Sequence, residues 1–232
     1  MMLSITDLRY SYGAVAALNG VSLSATPGGI TCVMGRNGVG KTTLMRTIMG
    51  SYKAVGGSIT LDGTEITRLP AHRRAKSGLA LVPQGREIFP RLTVEDNLRI
   101  GLEALPRRSS TVPHEIFELF PVLKQFLKRM GGDLSGGQQQ QLAIARALCG
   151  QPKVLLLDEP TEGIQPNIIQ QIGQVLQKLA SERGLAIVLV EQYLDFVKEF
   201  GKSFLIMNRG QVVASGLVAE LTGDLVSQHL SV

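Results

Sequence analysis

Residues 35–42 read Gly-Arg-Asn-Gly-Val-Gly-Lys-Thr and match the pattern G-x-x-x-x-G-K-[ST], which is typical of loops that bind nucleotide phosphates. The glycines allow the backbone to fold tightly enough for several N–H groups to point at one anion. Lys41 adds a mobile positive charge, and the Thr42 hydroxyl can ligate Mg²⁺. The alternative is a glycine-rich structural turn. The predicted nucleotide-binding residues of this phosphate loop are Gly35, Arg36, Asn37, Gly38, Val39, Gly40, Lys41, Thr42 and Thr43.

The sequence on either side of the loop supports this prediction. Residues 29–34, Gly-Ile-Thr-Cys-Val-Met, read as a buried strand that enters the loop, and residues 42–48 read as a helix that leaves it. A helix beginning near Lys41 would direct its positive N-terminal end at a bound phosphate.

Two further segments follow in a fixed order. Residues 134–138, Leu-Ser-Gly-Gly-Gln, begin a stretch with helical spacing of apolar residues, and residues 154–160, Val-Leu-Leu-Leu-Asp-Glu-Pro, form an apolar strand ending in two carboxylates. With the phosphate loop ahead of both, the chain resembles the ATPase subunits of ATP-binding-cassette (ABC) transporters over nearly its whole length. The resemblance implies ATP as the nucleotide and Mg²⁺ as its metal. Residues 134–138 are hereafter the signature segment.

Length and composition limit the possible classes of protein. With 232 residues the chain can bury one substantial core, with a smaller subdomain added to it. No run approaches the roughly 18 apolar residues that cross a bilayer, and the N-terminus lacks the parts of a signal peptide. We therefore expect a cytoplasmic protein, peripheral on the inner face of the cell membrane. Cys32 and Cys149 lack metal-binding or redox spacing, which predicts inert buried thiols.

The net charge of +5 raises the question of nucleic-acid binding. However, the basic residues form small scattered groups, the chain has no Trp, and no aromatic residues are interleaved with the groups as base stacking requires. We predict no nucleic-acid partner and expect the basic groups on a solvated face, favoured near an anionic membrane leaflet. These groups are Arg73, Arg74 and Lys76; Arg107 and Arg108; and Lys124, Lys128 and Arg129.

The patterns, together with the resemblance, predict an α/β fold with a P-loop (RecA-like) core, an antiparallel β subdomain and an inserted α-helical subdomain, all within one ATPase domain over residues 1–232. Residues 1–84 and 151–232 would form the core and β subdomain, because short alternating strands fill the first range and strands alternate with helices in the second. Residues 85–150 would form the helical subdomain, in which Thr93-Val-Glu-Asp96 reads as a capping box. A β-hairpin is expected over residues 204–215.

The resemblance implies a role for each polar residue near the phosphate loop. Asp158 would hold the Mg²⁺ that Thr42 also contacts, and Glu159 would polarise the water that attacks the γ-phosphorus. Lys41 would serve catalysis as well as binding. Gln84 matches the family's glutamine loop, whose amide touches Mg²⁺ or the water. The bland alternative for the two carboxylates is a strand end that merely faces solvent.

Two aromatic or apolar features carry weaker predictions. Tyr12 resembles the aromatic residue that stacks on adenine, with Tyr10 or an ordinary packing role as alternatives. Beyond Gln84, three apolar residues could line a groove for a short helix of a membrane permease, or could pack inside the helical subdomain. These three are Ile88, Phe89 and Leu92.

The signature segment implies a second ATPase subunit. A helix N-terminus is an anion site, yet the chain already has one at residues 35–42. In the family the second site reaches across a two-fold interface to ATP held by the partner, so that two ATP molecules lie between two domains. The partner is an identical chain or a paralogue, and the sequence leaves both open. The residues predicted to meet the partner's ATP are Leu134, Ser135, Gly136, Gly137 and Gln138.

Two positions depart from the family's pattern. Gln192 stands where a His is usual, and an amide can position the γ-phosphate and the water but takes up no proton near neutral pH. We therefore predict a catalytic role for Gln192 without acid–base work. Gln165 stands where an Asp is more usual, so communication between the two ATP sites would use a different contact.

These departures resemble ATPases of importers for branched-chain amino acids and urea, and the segments 82–97, 131–141 and 158–166 resemble the urea type most. The predicted function is ATP hydrolysis coupled to urea import through a separate transmembrane permease and, indirectly, a periplasmic solute-binding protein. A branched-chain amino acid importer is the alternative, and a lipid or polysaccharide exporter would share the same ATPase core. A soluble ATPase acting on DNA or ribosomes is disfavoured because the chain has no long insertion, and a module without turnover is disfavoured by Glu159.

Overall fold

Two β-sheets organise the structure, a computed structural model that describes residues 2–105 and 109–230. The strands, numbered along the chain, are β1 (Leu3–Tyr12), β2 (Val15–Ala25), β3 (Ile30–Met34), β4 (Gly56–Leu61), β5 (Thr64–Glu65), β6 (Leu79–Val82), β7 (Val154–Asp158), β8 (Ala186–Val190), β9 (Ser203–Asn208) and β10 (Gln211–Leu217). The antiparallel sheet has the order β2-β1-β4-β5, and the larger sheet has the order β10-β9-β3-β8-β7-β6.

Helices flank the larger sheet. They are α1 (Lys41–Met49), α2 (Ala71–Lys76), α3 (Val94–Gly101), α4 (His114–Leu119), α5 (Pro121–Gln125), α6 (Gly136–Cys149), α7 (Pro166–Arg183), α8 (Leu194–Phe200) and α9 (Gly223–His229). Helices α3 to α6 all lie between β6 and β7 in the chain, which is the predicted helical insertion.

Parallel pairing in the larger sheet brings the functional segments together. Strands β3, β6, β7, β8 and β9 are parallel, and β10 completes the predicted hairpin with β9. The carboxyl ends of parallel strands meet at one edge of a sheet, where α/β proteins bind ligands. The phosphate loop follows β3, Gln84 follows β6, Glu159 follows β7 and Gln192 follows β8, so all four segments lie at this edge.

Burial on both faces fixes the larger sheet in the core. Every residue of β3, β7 and β8 is buried, as expected for parallel strands covered on both sides. Along β7, Leu155 and Leu157 pack in one cluster with side chains of α6, α7 and α8, whereas Val154 and Leu156 pack in a second cluster with the antiparallel sheet and α1. Because successive side chains of β7 point to opposite faces of the sheet, this one strand contributes to both hydrophobic clusters.

Two helices of the insertion begin at capping residues. The Thr93 hydroxyl accepts a hydrogen bond from the N–H of Asp96 at 3.1 Å, which confirms the predicted cap of α3, although the carboxylate of Asp96 pairs with the hydroxyl rather than with the backbone. Helix α6 has the complete capping box, in which Ser135 and Gln138 exchange backbone and side-chain hydrogen bonds at 3.4 and 3.0 Å. The signature segment therefore forms a rigid helix start.

The prediction that the basic groups lie on a solvated face is wrong for Arg74. Its side chain is 1% exposed, and its guanidinium donates to the carbonyl oxygens of Thr47, Ile48, Thr67 and Leu69 at 2.6–2.9 Å. Two of these carbonyls belong to the last turn of α1, where a cation also meets the negative end of the helix dipole. Its helical neighbours Arg73 and Lys76 are exposed, as are Lys124, Lys128 and Arg129; Arg107 and Arg108 lie outside the described residues.

Cys32 and Cys149 are buried, as predicted, and burial raises the pKa of each thiol to about 12. Within residues 2–105 and 109–230, no helix combines the length and the apolar character that crossing a membrane requires.

Candidate nucleotide site

The phosphate loop has a backbone that only glycine permits at two positions. Gly35 has φ of 145°, and a Cβ on it would lie 2.5 Å from Met207 O. Gly40 has φ of 107°, and a Cβ on it would lie 2.6 Å from Ala17 O. The loop is thus pressed against the β9–β10 hairpin and β2.

Lys41 lies at the centre of this loop. Its side chain is 5% exposed, and its ammonium donates to the carbonyls of Gly35 and Arg36 at 2.7 and 2.9 Å. The ammonium is also 3.7 Å from Oε1 of Glu159. Burial lowers the pKa of Lys41, while Glu159 and Asp158 act in the opposite direction. The loop therefore curls around its own cation, which faces the two carboxylates at the end of β7.

Asp158 carries a buried carboxylate oxygen without a partner. The residue is 3% exposed and its Oδ1 makes no hydrogen bond. Burial raises the pKa of this carboxyl group, and hydrogen bonding with Thr42 acts against that rise. An unpartnered buried oxygen beside a hydroxyl fits a hard divalent cation, which prefers oxygen ligands. Among the described residues, no group of three or more His, Cys, Asp or Glu side chains is placed so that it could hold a metal ion.

Glu159 is held by donors from three separate segments. Gln192 Nε2 donates to its Oε1 at 2.6 Å, Gln84 Nε2 donates to its Oε2 at 3.2 Å, and Lys41 provides the nearby charge. The backbone N–H of Glu159 donates to Val190 O at 3.0 Å, and its φ of 48° turns the chain sharply after β7. The carboxylate is thereby aimed away from the sheet and back over the phosphate loop.

Gln84 bridges two carboxylates, one of which the sequence did not indicate. Its amide nitrogen donates to Oε2 of Glu162 at 3.0 Å as well as to Glu159. Glu162 is an exposed residue three positions beyond Glu159, so nothing in its local pattern marked it as part of the site. The predicted role of Gln84 as a metal ligand stays a prediction, because its hydrogen bonds in the structure go to these two carboxylates.

Tyr12 lies on the rim of the same cavity. Its ring is 48% exposed, its hydroxyl is hydrogen bonded to Thr43 at 3.2 Å, and its ring meets those of Tyr10 and Tyr52 edge-on at 4.9 and 5.7 Å. Tyr10 instead stacks on Tyr52, at a centroid distance of 5.0 Å. Of these three tyrosines, Tyr12 is therefore the one that contacts the phosphate loop, while Tyr52 is an aromatic neighbour that the sequence did not suggest.

A cavity of about 820 Å³ gathers most of the predicted site residues. Its volume is in the range of small-molecule sites. Arg209 and Gly210 of the β9–β10 turn close one side of it. The predicted residues in its wall are Tyr12, Asn37, Gly38, Val39, Gly40, Lys41, Thr42, Thr43, Gln84, Glu159 and Gln192.

The signature segment lies elsewhere. Residues 135–138 line a separate cavity of about 510 Å³, together with Gln141, Gln165 and Gln171. Leu134 is buried beneath it. Within the described residues, the signature segment thus lies at a different cavity from the phosphate loop, and its contact with a partner's ATP stays a prediction.

A buried glutamate completes the site and was not predicted as part of it. Glu191 is 3% exposed; its Oε1 accepts a hydrogen bond from the Thr161 hydroxyl at 2.6 Å, and its Oε2 accepts the N–H groups of Gln192 and Tyr193 at 2.8 and 2.9 Å. The position of Glu191 directly after β8, like that of Glu159 directly after β7, was the available signal.

Comparisons with known proteins agree with this arrangement. The family model described as ABC transporter matches residues 18–162. The chain is 40% identical over 213 residues to the high-affinity branched-chain amino acid transport ATP-binding protein BraG of Pseudomonas aeruginosa, covering 91% of each chain. It is 37% identical over 223 residues to the probable branched-chain amino acid transport ATP-binding protein LivF of Archaeoglobus fulgidus, covering 95% of this chain and 94% of the relative.

A solved structure gives the same result for the fold. The dimeric structure of a post-hydrolysis state of an ATP-binding cassette bound to ADP and Pi matches with a TM-score of 0.84 at 26% identity, over 94% of this chain and 99% of that one. The predicted α/β fold, with its P-loop core, antiparallel sheet and helical part, is confirmed.

Proposed function

This chain belongs to the ABC transporter family and is an ATPase, and from that premise we propose that it is the ATP-hydrolysing subunit of an importer of branched-chain amino acids. The observation that carries the catalytic part is the Glu159 carboxylate, fixed by Gln84 and Gln192 in the wall of the cavity that the phosphate loop lines. The substrate class follows from two relatives of 40% and 37% identity that bear the name of branched-chain amino acid transport.

Residues 35–43 hold the triphosphate of ATP, and Lys41 supplies the charge for its outer phosphates. The exposed ring of Tyr12 lies beside Thr43, where it can cover the adenine. Thr42 and the unpartnered Oδ1 of Asp158 would hold Mg²⁺, which when bound neutralises phosphate charge. The orphaned oxygen of Asp158 supports this assignment more directly than the sequence pattern does.

Glu159 orients the attacking water and accepts its proton. Each carboxylate oxygen accepts one hydrogen bond from an amide, which fixes the carboxylate while leaving further lone pairs for water. Gln192 also donates to Asn37 Oδ1 at 2.9 Å, which ties it to the tip of the phosphate loop and hence to the γ-phosphate. Because an amide does not titrate, Gln192 contributes position without proton transfer.

A second ATPase subunit completes each site. The signature segment presents the first-turn N–H groups of α6 at a cavity remote from this chain's own phosphate loop, so its anion site suits the ATP of a partner. The dimeric cassette structure matched above supports a two-fold arrangement. The partner is a second copy or a paralogue of this chain.

The permease docks on the helical insertion, which places the chain on the inner face of the cell membrane. Phe89 and Leu92 are 45% and 37% exposed, whereas Ile88 is half-buried and packs on the core. Met130, 46% exposed, adjoins them because residues 93 and 130 form a β-bridge. Phe89, Leu92 and Met130, hereafter the apolar patch, form a surface for an apolar helix. Import through that permease requires a periplasmic solute-binding protein.

Urea, the substrate predicted from the sequence segments, has no support from the relatives described above. Both carry the name of branched-chain amino acid transport and match over more than nine-tenths of this chain, whereas the urea prediction rested on short segments. An exporter shares the ATPase core and stays an alternative, since a lipopolysaccharide export ATP-binding protein also matches this chain, at the lower identity of 32%.

The test is uptake of labelled leucine and labelled urea by cells whose only copy carries Glu159→Gln. ATP hydrolysis should fall by about 10²-fold or more, as expected for loss of a general base, and leucine uptake should stop while urea uptake continues. Glu199→Gln, an exposed carboxylate on α8, is the matched control. Loss of urea uptake alone would assign the chain to urea, and loss of neither, with hydrolysis abolished, would refute both importers.

A further inference from the structure

Glu191 connects three segments around the candidate site. Its backbone N–H donates to Val33 O at 3.2 Å, in the strand that enters the phosphate loop. Its carboxylate receives the Thr161 hydroxyl from the segment that follows Glu159, and it receives two N–H groups from the segment that carries Gln192. A single buried residue therefore connects β3, through its backbone, with the segments that follow β7 and β8, through its carboxylate.

The hydrogen bonds of this carboxylate direct it toward the protein interior. Both oxygens are engaged by three donors at 2.6–2.9 Å, and the residue is 3% exposed. Burying a carboxylate is costly unless hydrogen bonds compensate, so these three donors are also what permits Glu191 to occupy the interior.

The route from Glu191 to the reacting atoms runs through Gln192. Glu191 Oε2 holds the Gln192 backbone N–H, and the Gln192 side chain then donates to Glu159 and Asn37. The Thr161 hydroxyl fixes the other side of the carboxylate, two residues beyond Glu159 in the chain. Small errors in the position of a catalytic group lower rates strongly, so this anchoring bears directly on turnover.

We infer that Glu191 and Thr161 form a positioning pair, which sets the side chain of Gln192 against Glu159 and thereby raises the rate of ATP hydrolysis without touching ATP. This inference rests on the proposed roles of Glu159 and Gln192. If the pair served only folding, removing its hydrogen bond would lower the stability of the chain and would leave the turnover number unchanged.

The test compares the purified Thr161→Val, Thr161→Ser and Gln192→Ala chains and the Thr161→Val/Gln192→Ala double variant. Valine matches threonine in shape and lacks the hydroxyl, whereas serine keeps it. We expect Thr161→Val to lower kcat for ATP hydrolysis about 10-fold with KM changed less than two-fold, and Thr161→Ser to stay within two-fold of the parent. In the Gln192→Ala background, Thr161→Val should lower kcat no further, because the group it positions is gone.

Thr31→Val is the control for loss of a buried hydroxyl as such, since Thr31 is 4% exposed and its hydroxyl bonds Ser203 in the core sheet. Its kcat should match the parent. The positioning pair would be refuted if the kcat losses of the two single variants multiplied in the double variant. It would also be refuted if Thr161→Ser or Thr31→Val lost as much kcat as Thr161→Val. Neither result would affect the role proposed for Gln192. A Gln192→Ala chain with full kcat would instead refute the role proposed for Gln192, and the inference with it.

Discussion

Gln192 Nε2 lies 2.6 Å from Oε1 of Glu159 and 2.9 Å from Oδ1 of Asn37, so one amide nitrogen joins the carboxylate after β7 to the phosphate loop. Each of its two hydrogens has one acceptor. An amide keeps its protonation state over the physiological range, so Gln192 remains a hydrogen-bond donor at pH 6 as at pH 8.

The first prediction concerns the pH dependence of hydrolysis. Wild type should show no inflection of kcat near pH 6.5 that depends on position 192, and Gln192→His should acquire one, because imidazole titrates there. Profiles of kcat between about pH 5.5 and 9 provide the measurement. An inflection in wild type that disappears in Gln192→Ala would contradict the prediction.

The second prediction separates stability from activity at Asp158. Burial raises the pKa of this carboxyl group in the folded chain, so its contribution to stability is full below the pKa of the unfolded chain and is lost as the pH rises through the folded pKa. Asp158→Asn removes this loss of stability at high pH, because an amide does not ionise. We expect Tm at pH 7 without nucleotide to rise by about 2–4 °C, corresponding to about 1 kcal/mol in a chain of this size, while hydrolysis is abolished.

Thermal unfolding at several pH values checks this prediction. The difference in Tm between Asp158→Asn and wild type should shrink as the pH is lowered, because the wild-type carboxyl group then becomes neutral as well. An Asn variant that is less stable than wild type at pH 7 would show that the carboxylate is compensated in the folded chain.

The third prediction addresses the buried arginine. Arg74→Met should lower the free energy of unfolding by about 3 kcal/mol or more, because it leaves buried carbonyl groups at the end of α1 without donors. Arg73→Met, on the exposed side of the same helix, should change it by less than about 0.5 kcal/mol. Urea unfolding of both variants gives the comparison, and equal losses would mean that the carbonyls find other partners.

The fourth prediction uses the two cysteines. Burial and a pKa of about 12 at Cys32 and Cys149 keep both thiols protonated and inaccessible, so a thiol reagent at pH 8 should label neither in the folded chain. Both should react after denaturation, and ATP with Mg²⁺ should slow any labelling that proceeds through transient opening. Rapid labelling of the folded chain would show that β3 around Cys32 or α6 around Cys149 unfolds locally under native conditions.

The fifth prediction concerns the apolar patch. Phe89→Glu should leave hydrolysis by the purified chain within two-fold of the parent but should reduce substrate uptake and membrane association, because a charge is placed where an apolar helix docks. Val55→Glu, which alters a residue that is 68% exposed on another surface, is the control. Normal uptake and normal membrane association of Phe89→Glu would argue against docking at this patch.

The sequence was most informative where a local pattern stands at the end of a strand. The phosphate loop and the Asp158-Glu159 pair were predicted correctly in position because a glycine pattern and an apolar run mark them directly, and parallel pairing then brings them together. The caps of α3 and α6 are likewise local, since residues three positions apart provide both halves.

Contacts between distant residues account for what was missed. Thr161 and Glu191 are 30 residues apart, and Gln84 and Glu162 are 78 apart, so neither pairing leaves a trace in the local pattern. Arg74 was wrongly expected on the surface because its partners are backbone carbonyls, which every residue carries. The substrate depends on no residue of the ATP site, which explains why short segments favoured urea and the relatives favour branched-chain amino acids.

Helix α6 begins at the signature segment, and ten residues later Arg146 donates to the carbonyl of Glu87 at 2.8 Å and lies 5.3 Å over the ring of Phe89. At 1.5 Å per residue the two ends of this stretch are about 15 Å apart. An α-helix of this length moves as a rigid body. A displacement of Phe89 by the permease would therefore be passed to the end of the helix that faces the partner's ATP. A single helix would thus connect the apolar patch with the partner's ATP, and the contact of Arg146 with Phe89 would be the one side-chain step on this path.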